Sequence, residues 1–366
     1  MIDTADLMNQ SSLLVAIDAP YNKTKNMQGY FDEFLNLVKT NGTTYKAIHY
    51  ITLRSIDPSY FLTKGKLEEL KKLRDELGVD FVVFSDTLNS KQERNLETYL
   101  NCDVIDRTSL ILQIFEKSAL SSEGKKQVAI AMLEHQKTRL AGKGIYLSQQ
   151  AGVIGVRGGP GETAKERERR FIEKEILKLQ RQLESIQKSR DVQRKRRLAS
   201  KIPHICLIGY TNAGKSTILN TLTKSDVLAE DKLFATLDTT TRELYINSKK
   251  KGVLSDTVGF IQQLPHQLID AFKSTLEELQ YADLLLQVID ATDPNWEDHV
   301  KVVQEILIDL KIQKEMVYVF NKCDLLEDIE AFEQTIYRYE PNVLVSGTSR
   351  DGLEGLIIFL DEWERK

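Results

Sequence analysis

In the first third of the chain, short runs of consecutive apolar residues alternate with stretches in which apolar residues recur at helical spacing. Short apolar runs predict strands at 13–17, 46–53, 80–86 and 102–106. Charged stretches with a helical spacing of apolar residues separate these runs, at 31–40, 64–78 and 89–100. Because strands and helices alternate, we expect an α/β domain with a mainly parallel sheet over residues 1–120.

The next segment, 121–200, has the pattern of a helical hairpin. Its second helix carries an apolar seam with spacings of four and three residues, formed by Ile172, Ile176, Leu179, Leu183 and Ile186. Such a seam is typical of a helix that packs along another helix, here the segment 125–140. We expect the glycine-rich stretch 151–162 at the tip, and a capping box of Thr163 and Glu166 at the start of the second helix.

The last part of the chain, 201–366, returns to alternating strands and helices. Nearly continuous apolar runs predict strands at 204–209, 241–247, 252–257, 284–290, 316–321 and 343–347. Runs of this kind are typical of a sheet that is covered on both faces. The strands at 241–247 and 252–257 are joined by a short turn, so this pair should add an antiparallel edge strand.

Charge is distributed unevenly along the chain. The whole protein has a net charge of −4, but residues 165–201 hold 14 basic and 6 acidic side chains, which is +8. The remainder is therefore near −12. A basic segment that includes Arg194–Arg197, inside an acidic protein, indicates an anionic partner for that segment.

Composition narrows the class of protein further. No apolar run approaches the roughly 18–20 residues that span a bilayer, and the first residues lack the pattern of a signal peptide. The three cysteines, Cys102, Cys206 and Cys323, are far apart, which argues against a disulfide framework or a zinc site. We expect a cytoplasmic, monomeric protein without a membrane partner.

A glycine-rich loop follows one predicted strand and opens a predicted helix. Its residues match the pattern GxxxxGK[ST], and they are Gly209, Tyr210, Thr211, Asn212, Ala213, Gly214, Lys215 and Ser216. In this context the backbone N–H groups of the loop and the helix N-terminus bind phosphates. We expect Lys215 to contact the β- and γ-phosphates as a catalytic residue, and the Ser216 hydroxyl to ligate Mg²⁺.

A second phosphate element closes the strand at 252–257, and it comprises Asp256, Thr257, Val258, Gly259 and Phe260. Asp256 should orient Mg²⁺ through water, from the second coordination shell. The Gly259 backbone N–H should approach the γ-phosphate as a catalytic group. Phe260 stands where Ras-type enzymes have the glutamine that orients the attacking water, so another group must hold that water.

Two elements near the C-terminus point to guanine. The motif NKxD is present as Asn321, Lys322, Cys323 and Asp324 at the end of a predicted strand. A carboxylate at Asp324 can accept from N1–H and N2–H₂ of guanine, whereas adenine offers neither donor at those edges. After the last strand, Ser346, Gly347 and Thr348 can contact the guanine O6 through backbone N–H groups.

A switch loop should lie between the two phosphate elements. The segment there is Phe234, Ala235, Thr236, Leu237 and Asp238. A threonine hydroxyl can complete the Mg²⁺ shell and sense the γ-phosphate. Spacing alone does not choose among Thr236, Thr239, Thr240 and Thr241.

With these elements in place, the chain resembles the HflX family of translational GTPases over nearly its whole length. The resemblance is carried by GYTNAGKST, FATLD followed by TTR, SDTVGFI, GPGET after the glycine-rich stretch, and the early DPSYFLTKGKLEEL. It implies that Thr236 is the switch threonine that binds Mg²⁺. It also implies a GTPase that binds the large ribosomal subunit and its ribosomal RNA, and that separates stalled or idle ribosomes into subunits.

The sequence therefore predicts an α/β protein. A P-loop GTPase domain with a mainly parallel sheet follows a smaller α/β N-terminal domain and a helical hairpin. The expected reaction is hydrolysis of GTP to GDP and phosphate, with Mg²⁺ as cofactor. The alternative is a GTP-dependent signalling switch whose N-terminal domain binds a protein effector. The basic hairpin favours the ribosomal function, because RNA rewards clustered Lys and Arg.

Asn212 suggests a second cation. It lies three residues before Lys215, and an amide oxygen at this position can face the α- and γ-phosphate side of the nucleotide. A K⁺ ion held between Asn212 and the phosphates would stand where an arginine finger places its charge. Phe260 makes such a charge useful, since the glutamine is missing.

Overall fold

A computed structural model of the chain describes residues 10–22, 24, 26–142, 164–199, 202–225, 232–237, 239–263 and 273–365. The glycine-rich stretch, Thr163 and Asp238 lie outside these residues. The chain folds into two compact units. One comprises Met1–Lys117 with Lys125–Glu184, and the other comprises Ser118–Gly124 with Ser185–Lys366. The expected domain boundaries at 120 and 200 stay a prediction.

The first unit contains a parallel sheet. Its strands are β1 (Ser12–Asp18), β2 (Tyr45–Thr52), β3 (Phe81–Phe84) and β4 (Asp103–Ile105), in the order β2-β1-β3-β4. All the pairings are parallel, as the alternating pattern predicted. The apolar residues of β1 and β3 are buried throughout, which explains why these strands read as continuous apolar runs.

Helices connect the strands of this sheet. They are α1 (Met27–Asn41), α2 (Lys64–Leu77), α3 (Ser90–Leu100) and α4 (Arg107–Ser118). Helix α3 begins at a capping box of Asn89 and Gln92, which satisfies backbone N–H groups of its first turn. Helix α4 was not predicted; its apolar residues do not follow a one-sided helical pattern, and its first residue, Arg107, is fully buried in an ion pair with Glu33.

The predicted helical hairpin is present as α5 (Ser122–Gly142) and α6 (Ala164–Ala199). The seam of α6 packs on α5, since Ile172 and Ile176 are buried in one cluster with Ile130 and Leu140. Leu179 and Leu183 flank this cluster, whereas Ile186 does not belong to it. The seam prediction is therefore confirmed over its first four positions.

The second unit contains a mixed sheet. Its strands are β5 (His204–Gly209), β6 (Thr240–Ile246), β7 (Lys249–Asp256), β8 (Leu284–Asp290), β9 (Glu315–Asn321) and β10 (Asn342–Leu344). Their order is β10-β9-β8-β5-β7-β6. Only the β6–β7 pairing among the described strands is antiparallel, so the expected antiparallel edge strand is confirmed.

Both faces of this sheet are covered. The helices are α7 (Lys215–Thr223), α8 (Lys273–Gln280), α9 (Trp296–Asp309), α10 (Ile329–Ile336) and α11 (Glu354–Glu362). Leu207 and Leu286 pack towards residues of α7 and α11, and their neighbours Cys206 and Leu285 pack towards α8 and α9. The carboxyl ends of β5, β7, β9 and β10 meet at one edge, where an open α/β sheet binds ligands.

The last strand is shorter than the sequence predicts. Its ladder continues to Val345, whose N–H donates to Phe320 O at 2.8 Å. The N–H of Ser346 then turns away to Gly352 O, at 2.9 Å. Residues 346–347, expected in the strand, therefore belong to a loop at the ligand-binding edge of the sheet. In the part of the chain that the structure describes, we find no helix with the length and apolar composition needed to cross a membrane.

Candidate functional site

The phosphate loop connects β5 to α7. Gly214 adopts a φ of 94°, and a Cβ there would lie 2.2 Å from the Asn321 Nδ2, so only glycine fits. Asn212 also has a positive φ, of 63°, a conformation that asparagine tolerates better than most residues. The loop curls around the Lys215 ammonium, which donates to Tyr210 O at 2.7 Å and to Gly209 O at 3.2 Å.

Lys215 is buried beneath the loop. Burial disfavours its charged form and lowers the pKa of the ammonium to about 8, while the nearby Asp256 carboxylate acts in the opposite direction. Phosphate oxygens in the loop would add negative charge next to Lys215. A bound nucleotide therefore favours the charged ammonium that phosphate binding requires.

Three oxygen-bearing side chains meet beside the loop. The Ser216 Oγ lies 2.8 Å from the Thr236 Oγ1 and 2.5 Å from the Asp256 Oδ2. The other Asp256 oxygen, Oδ1, is buried and has no hydrogen-bond partner among the described residues, and burial raises the pKa of this carboxyl. Two hydroxyls and a buried carboxylate with an unused oxygen fit Mg²⁺, which prefers oxygen ligands.

The structure distinguishes between the candidate switch threonines. Thr236 lies against Ser216, whereas the Thr241 Oγ1 contacts Ser255 on β7 at 2.7 Å. Thr240 is the first residue of β6. Thr236 is the one of the four whose hydroxyl contacts Ser216, and its role as the Mg²⁺-binding switch threonine stays a prediction.

The side chain of Asn321, at the end of β9, connects the protein segments that are expected to bind guanine. Its Nδ2 donates to Ala213 O at 2.9 Å, and its Oδ1 accepts from the Gly347 N–H at 2.8 Å. Lys322 contacts Asp290 through Nζ and Oδ2 at 2.5 Å. Asp324 lies in a 3₁₀ turn, Cys323–Leu325, and its side chain is exposed.

The last loop differs from the expected arrangement. The Ser346 N–H donates to Gly352 O and the Gly347 N–H to Asn321, so neither amide is available to guanine O6. The N–H of Thr348 has no such partner among the described residues. The loop can therefore offer O6 a backbone donor at Thr348 rather than at all three positions.

These elements enclose a cavity of about 320 Å³. The predicted site residues that line it are Thr211, Asn212, Gly214, Lys215, Ser216, Phe234, Ala235, Thr236, Gly259, Asn321, Lys322, Asp324, Ser346, Gly347 and Thr348. The cavity is also lined by three residues that the sequence patterns did not identify, Thr217, Lys232 and Leu325. Each immediately follows or lies close to a recognised motif, and that proximity is the signal that could have identified them.

Other predicted residues do not line the cavity. They are Gly209, Tyr210, Ala213, Leu237, Asp256, Thr257, Val258, Phe260 and Cys323. Asp256 still reaches the site through Ser216. The Thr257 hydroxyl donates to Leu207 O at 2.8 Å and so connects the segment after β7 to β5.

Phe260 turns away from the cavity. Its ring is buried in the core with Ile208 and Leu279. Its backbone pairs with the phosphate loop, since Phe260 N–H donates to Gly209 O at 3.1 Å and Phe260 O accepts from Thr211 N–H at 2.8 Å. The position of the missing glutamine is thus filled by a core residue, and the attacking water needs another group.

Gly259, one residue earlier, lines the cavity. A Cβ at this position would lie 2.7 Å from the Thr211 Cγ2 and 3.1 Å from the Lys215 Nζ. A side chain would therefore press on the phosphate loop and on the lysine. The absence of a side chain lets the backbone of Gly259 approach the region where the γ-phosphate is expected.

Three family models match successive parts of the chain. The model described as GTP-binding GTPase N-terminal matches residues 28–116. The model described as GTP-binding GTPase Middle Region matches residues 118–197. The model described as 50S ribosome-binding GTPase matches residues 204–322.

Similar proteins extend over most of the chain. A GTPase HflX of Caldanaerobacter subterraneus subsp. tengcongensis is 44% identical over 327 residues, which cover 89% of this chain and 75% of that protein. The GTPase HflX of Escherichia coli (strain K12) is 41% identical over 345 residues, or 93% of this chain and 79% of that protein. A crystal structure of SsGBP in complex with GDP shares the fold, with a TM-score of 0.50, 23% identity and 96% of each chain covered.

Asp324→Asn should exchange the base preference of the site. The carboxylate is expected to accept from N1–H and N2–H₂ of guanine, and an amide in its place would instead match the 2-carbonyl of xanthine. We expect at least a roughly tenfold loss of GDP affinity and a gain in affinity for xanthosine diphosphate, measured by titration calorimetry. Asp328→Asn, which changes the N-cap of α10 in the same domain, is the control. A variant that binds GDP as wild type does would show that Asp324 does not read the base.

Proposed function

Because the chain belongs to the HflX family of GTPases, and therefore hydrolyses GTP to GDP and phosphate, we propose that it binds the large ribosomal subunit in the cytoplasm and separates ribosomes into subunits. The observation that carries the proposal is the charge on the outer side of α6. The family description of a ribosome-binding GTPase, matched by residues 204–322, supports it.

The outer side of α6 lies opposite its apolar seam. At 3.6 residues per turn, one stripe of this helix contains exposed basic residues at spacings of three and four, namely Arg167, Arg170, Lys174, Lys178 and Arg181. Phe171 lies in the same stripe, and 62% of its surface is exposed. A single exposed aromatic side chain is common on protein surfaces, but here it lies on the same face as the basic residues.

Ribosomal RNA would bind both the basic residues and the aromatic ring of this face. Phosphates reward clustered Lys and Arg through release of counterions, and unpaired bases stack on aromatic side chains. Arg169 and Lys178 are weaker candidates than their neighbours, because Arg169 contacts Glu173 at 3.1 Å and Lys178 contacts Glu175 at 3.0 Å. The side chains of Arg194–Arg197 lie outside the described residues, so the stripe at 167–181 carries the argument.

Within the GTPase site, each residue has a separate task. Lys215 binds the β- and γ-phosphates and draws charge from the bridging oxygen as the bond breaks. Ser216 and Thr236 would hold Mg²⁺, with Asp256 orienting its water ligands, and the ion would neutralise phosphate charge. The Gly259 N–H donates to the γ-phosphate. Because Phe260 faces the core, we infer that hydrolysis by the free protein is slow and that ribosomal subunits accelerate it.

Charge reversal on the stripe should weaken ribosome binding. We expect the triple variant Arg167→Glu, Arg170→Glu, Lys174→Glu to cosediment poorly with large subunits and to show a shallower dependence of log affinity on log salt. The physical reason is the loss of several phosphate contacts. GTPase stimulation by ribosomal subunits should fall in parallel, while turnover by the isolated protein stays unchanged.

The matched control reverses three exposed lysines of the GTPase domain, Lys249, Lys311 and Lys314. It carries the same change of net charge and should bind subunits as wild type does. If the stripe variant also binds normally, the contact with RNA lies elsewhere. Failure of wild type to bind subunits would instead favour the alternative, a signalling switch with a protein effector.

We also propose that K⁺ supports hydrolysis. Asn212 lines the cavity with an exposed side chain, so its amide oxygen can reach a cation beside the phosphates. Hydrolysis should be several-fold faster in KCl than in NaCl at equal concentration, because the cation adds positive charge at the transition state. The difference should disappear in Asn212→Ala. Equal wild-type rates in the two salts would exclude this role.

A further inference from the structure

The phosphate loop and the segment that begins at Gly259 form a short two-stranded bridge. Tyr210 pairs with Phe260 in parallel, through backbone hydrogen bonds from Phe260 N–H to Gly209 O and from Thr211 N–H to Phe260 O. These bonds fix the first residue after Gly259. They do not by themselves fix the residues that follow, which lead away from the bridge.

A third hydrogen bond extends this connection by two residues. The hydroxyl of Tyr210 accepts from the backbone N–H of Gln262 at 2.7 Å. One residue of the phosphate loop thus holds this segment twice, by its backbone at Phe260 and by its side chain at Gln262. Tyr210 does not line the nucleotide cavity, and only 6% of its surface is exposed.

The ring of Tyr210 is itself held by a second ring. His299, on α9, stacks on it with a centroid distance of 3.7 Å and an interplanar angle of 9°. The imidazole Nδ1 lies 3.7 Å from a carboxylate oxygen of Asp293, in the loop that precedes α9. The Tyr210 ring therefore packs on an imidazole from α9, which belongs neither to the phosphate loop nor to the segment that begins at Gly259.

We propose that Tyr210 is a positioning residue for GTP hydrolysis. Its hydroxyl holds the backbone of Gln262 close to the phosphate loop, and the stacked His299 ring holds the phenol in place. Together these contacts restrain the segment that carries the Gly259 N–H. Because Tyr210 does not line the cavity, we assign its phenol no contact with the nucleotide or the attacking water. Its effect reaches the reaction through the backbone between residues 259 and 262.

This role has a distinctive consequence for nucleotide preference. The Gly259 N–H can contact a γ-phosphate but has no partner in GDP. Loosening the segment should weaken binding of a GTP analogue and slow hydrolysis, while GDP binding through the phosphate loop and Asn321 stays intact. A purely structural tyrosine would instead lower the affinity for both nucleotides together.

The test is Tyr210→Phe, which removes the hydroxyl and keeps the ring on His299. We expect GDP affinity to stay within about twofold of wild type. We expect affinity for a non-hydrolysable GTP analogue, and kcat, to fall by roughly three- to tenfold, the range for loss of one hydrogen bond. His299→Ala should produce the same selective loss, and His299→Phe should restore much of it by restoring a ring.

Tyr318→Phe is the matched control. The hydroxyl of Tyr318, in β9 of the same domain, accepts from the Gln304 Nε2 at 3.0 Å, and Tyr318 does not line the cavity. This variant should leave both nucleotide affinities and kcat unchanged. The proposal is overturned if Tyr210→Phe keeps the wild-type preference between the GTP analogue and GDP. It is also overturned if both affinities fall together with the melting temperature.

Discussion

The amide side chain of Asn321 joins three of the loops that form the nucleotide site. Its nitrogen is bonded to the phosphate loop at Ala213, and its oxygen is bonded to the last loop at Gly347. Its backbone begins the loop that carries Asp324. The amide is nearly fully buried, so each of these hydrogen bonds replaces one with water and each would be costly to leave unmade. The phosphate end and the base end of the cavity therefore keep a fixed separation.

The sheet brings these loops within reach of one amide. Strands β5, β9 and β10 are parallel, with β8 between β5 and β9, and all end at the same edge. The tight approach leaves no space for side chains at the crossing points, since a Cβ on Gly347 would lie 3.0 Å from the Asn321 Oδ1. Glycine at 214 and 347 and asparagine at 321 are thus three parts of one packing arrangement.

The sequence predicted the GTPase fold well for a physical reason. Strands that are buried on both faces read as apolar runs, and the phosphate loop must lie between such a strand and a helix. The first sheet was predicted from the same kind of apolar runs, and the packing of α6 was predicted from the spacing of its apolar seam. Helix α4 was not predicted because it is buried on several sides, and even its Arg107 is buried. Such burial removes the one-sided periodicity by which helices are recognised.

Side-chain direction was the main information that the sequence lacked. Phe260 could be placed beside Gly259, but only the packing shows that its ring enters the core and that its backbone pairs with the phosphate loop. Spacing alone left four threonines open, and the contact between Thr236 and Ser216, 20 residues apart in the chain, is visible only in the folded protein. The sequence also could not show that the N–H groups of Ser346 and Gly347 are hydrogen-bonded within the protein, because this depends on where the last strand ends.

Asn321 assembles the site by joining the phosphate loop to the last loop. Asn321→Asp tests this claim most directly, because it keeps the acceptor for Gly347 and replaces the donor to Ala213 with a repelling oxygen. The account predicts at least a roughly fivefold loss of affinity for GDP and for a GTP analogue alike, with no gain for xanthosine diphosphate and an unchanged far-ultraviolet circular dichroism spectrum. Wild-type affinity for GDP, or a switch towards xanthine nucleotides, would contradict it.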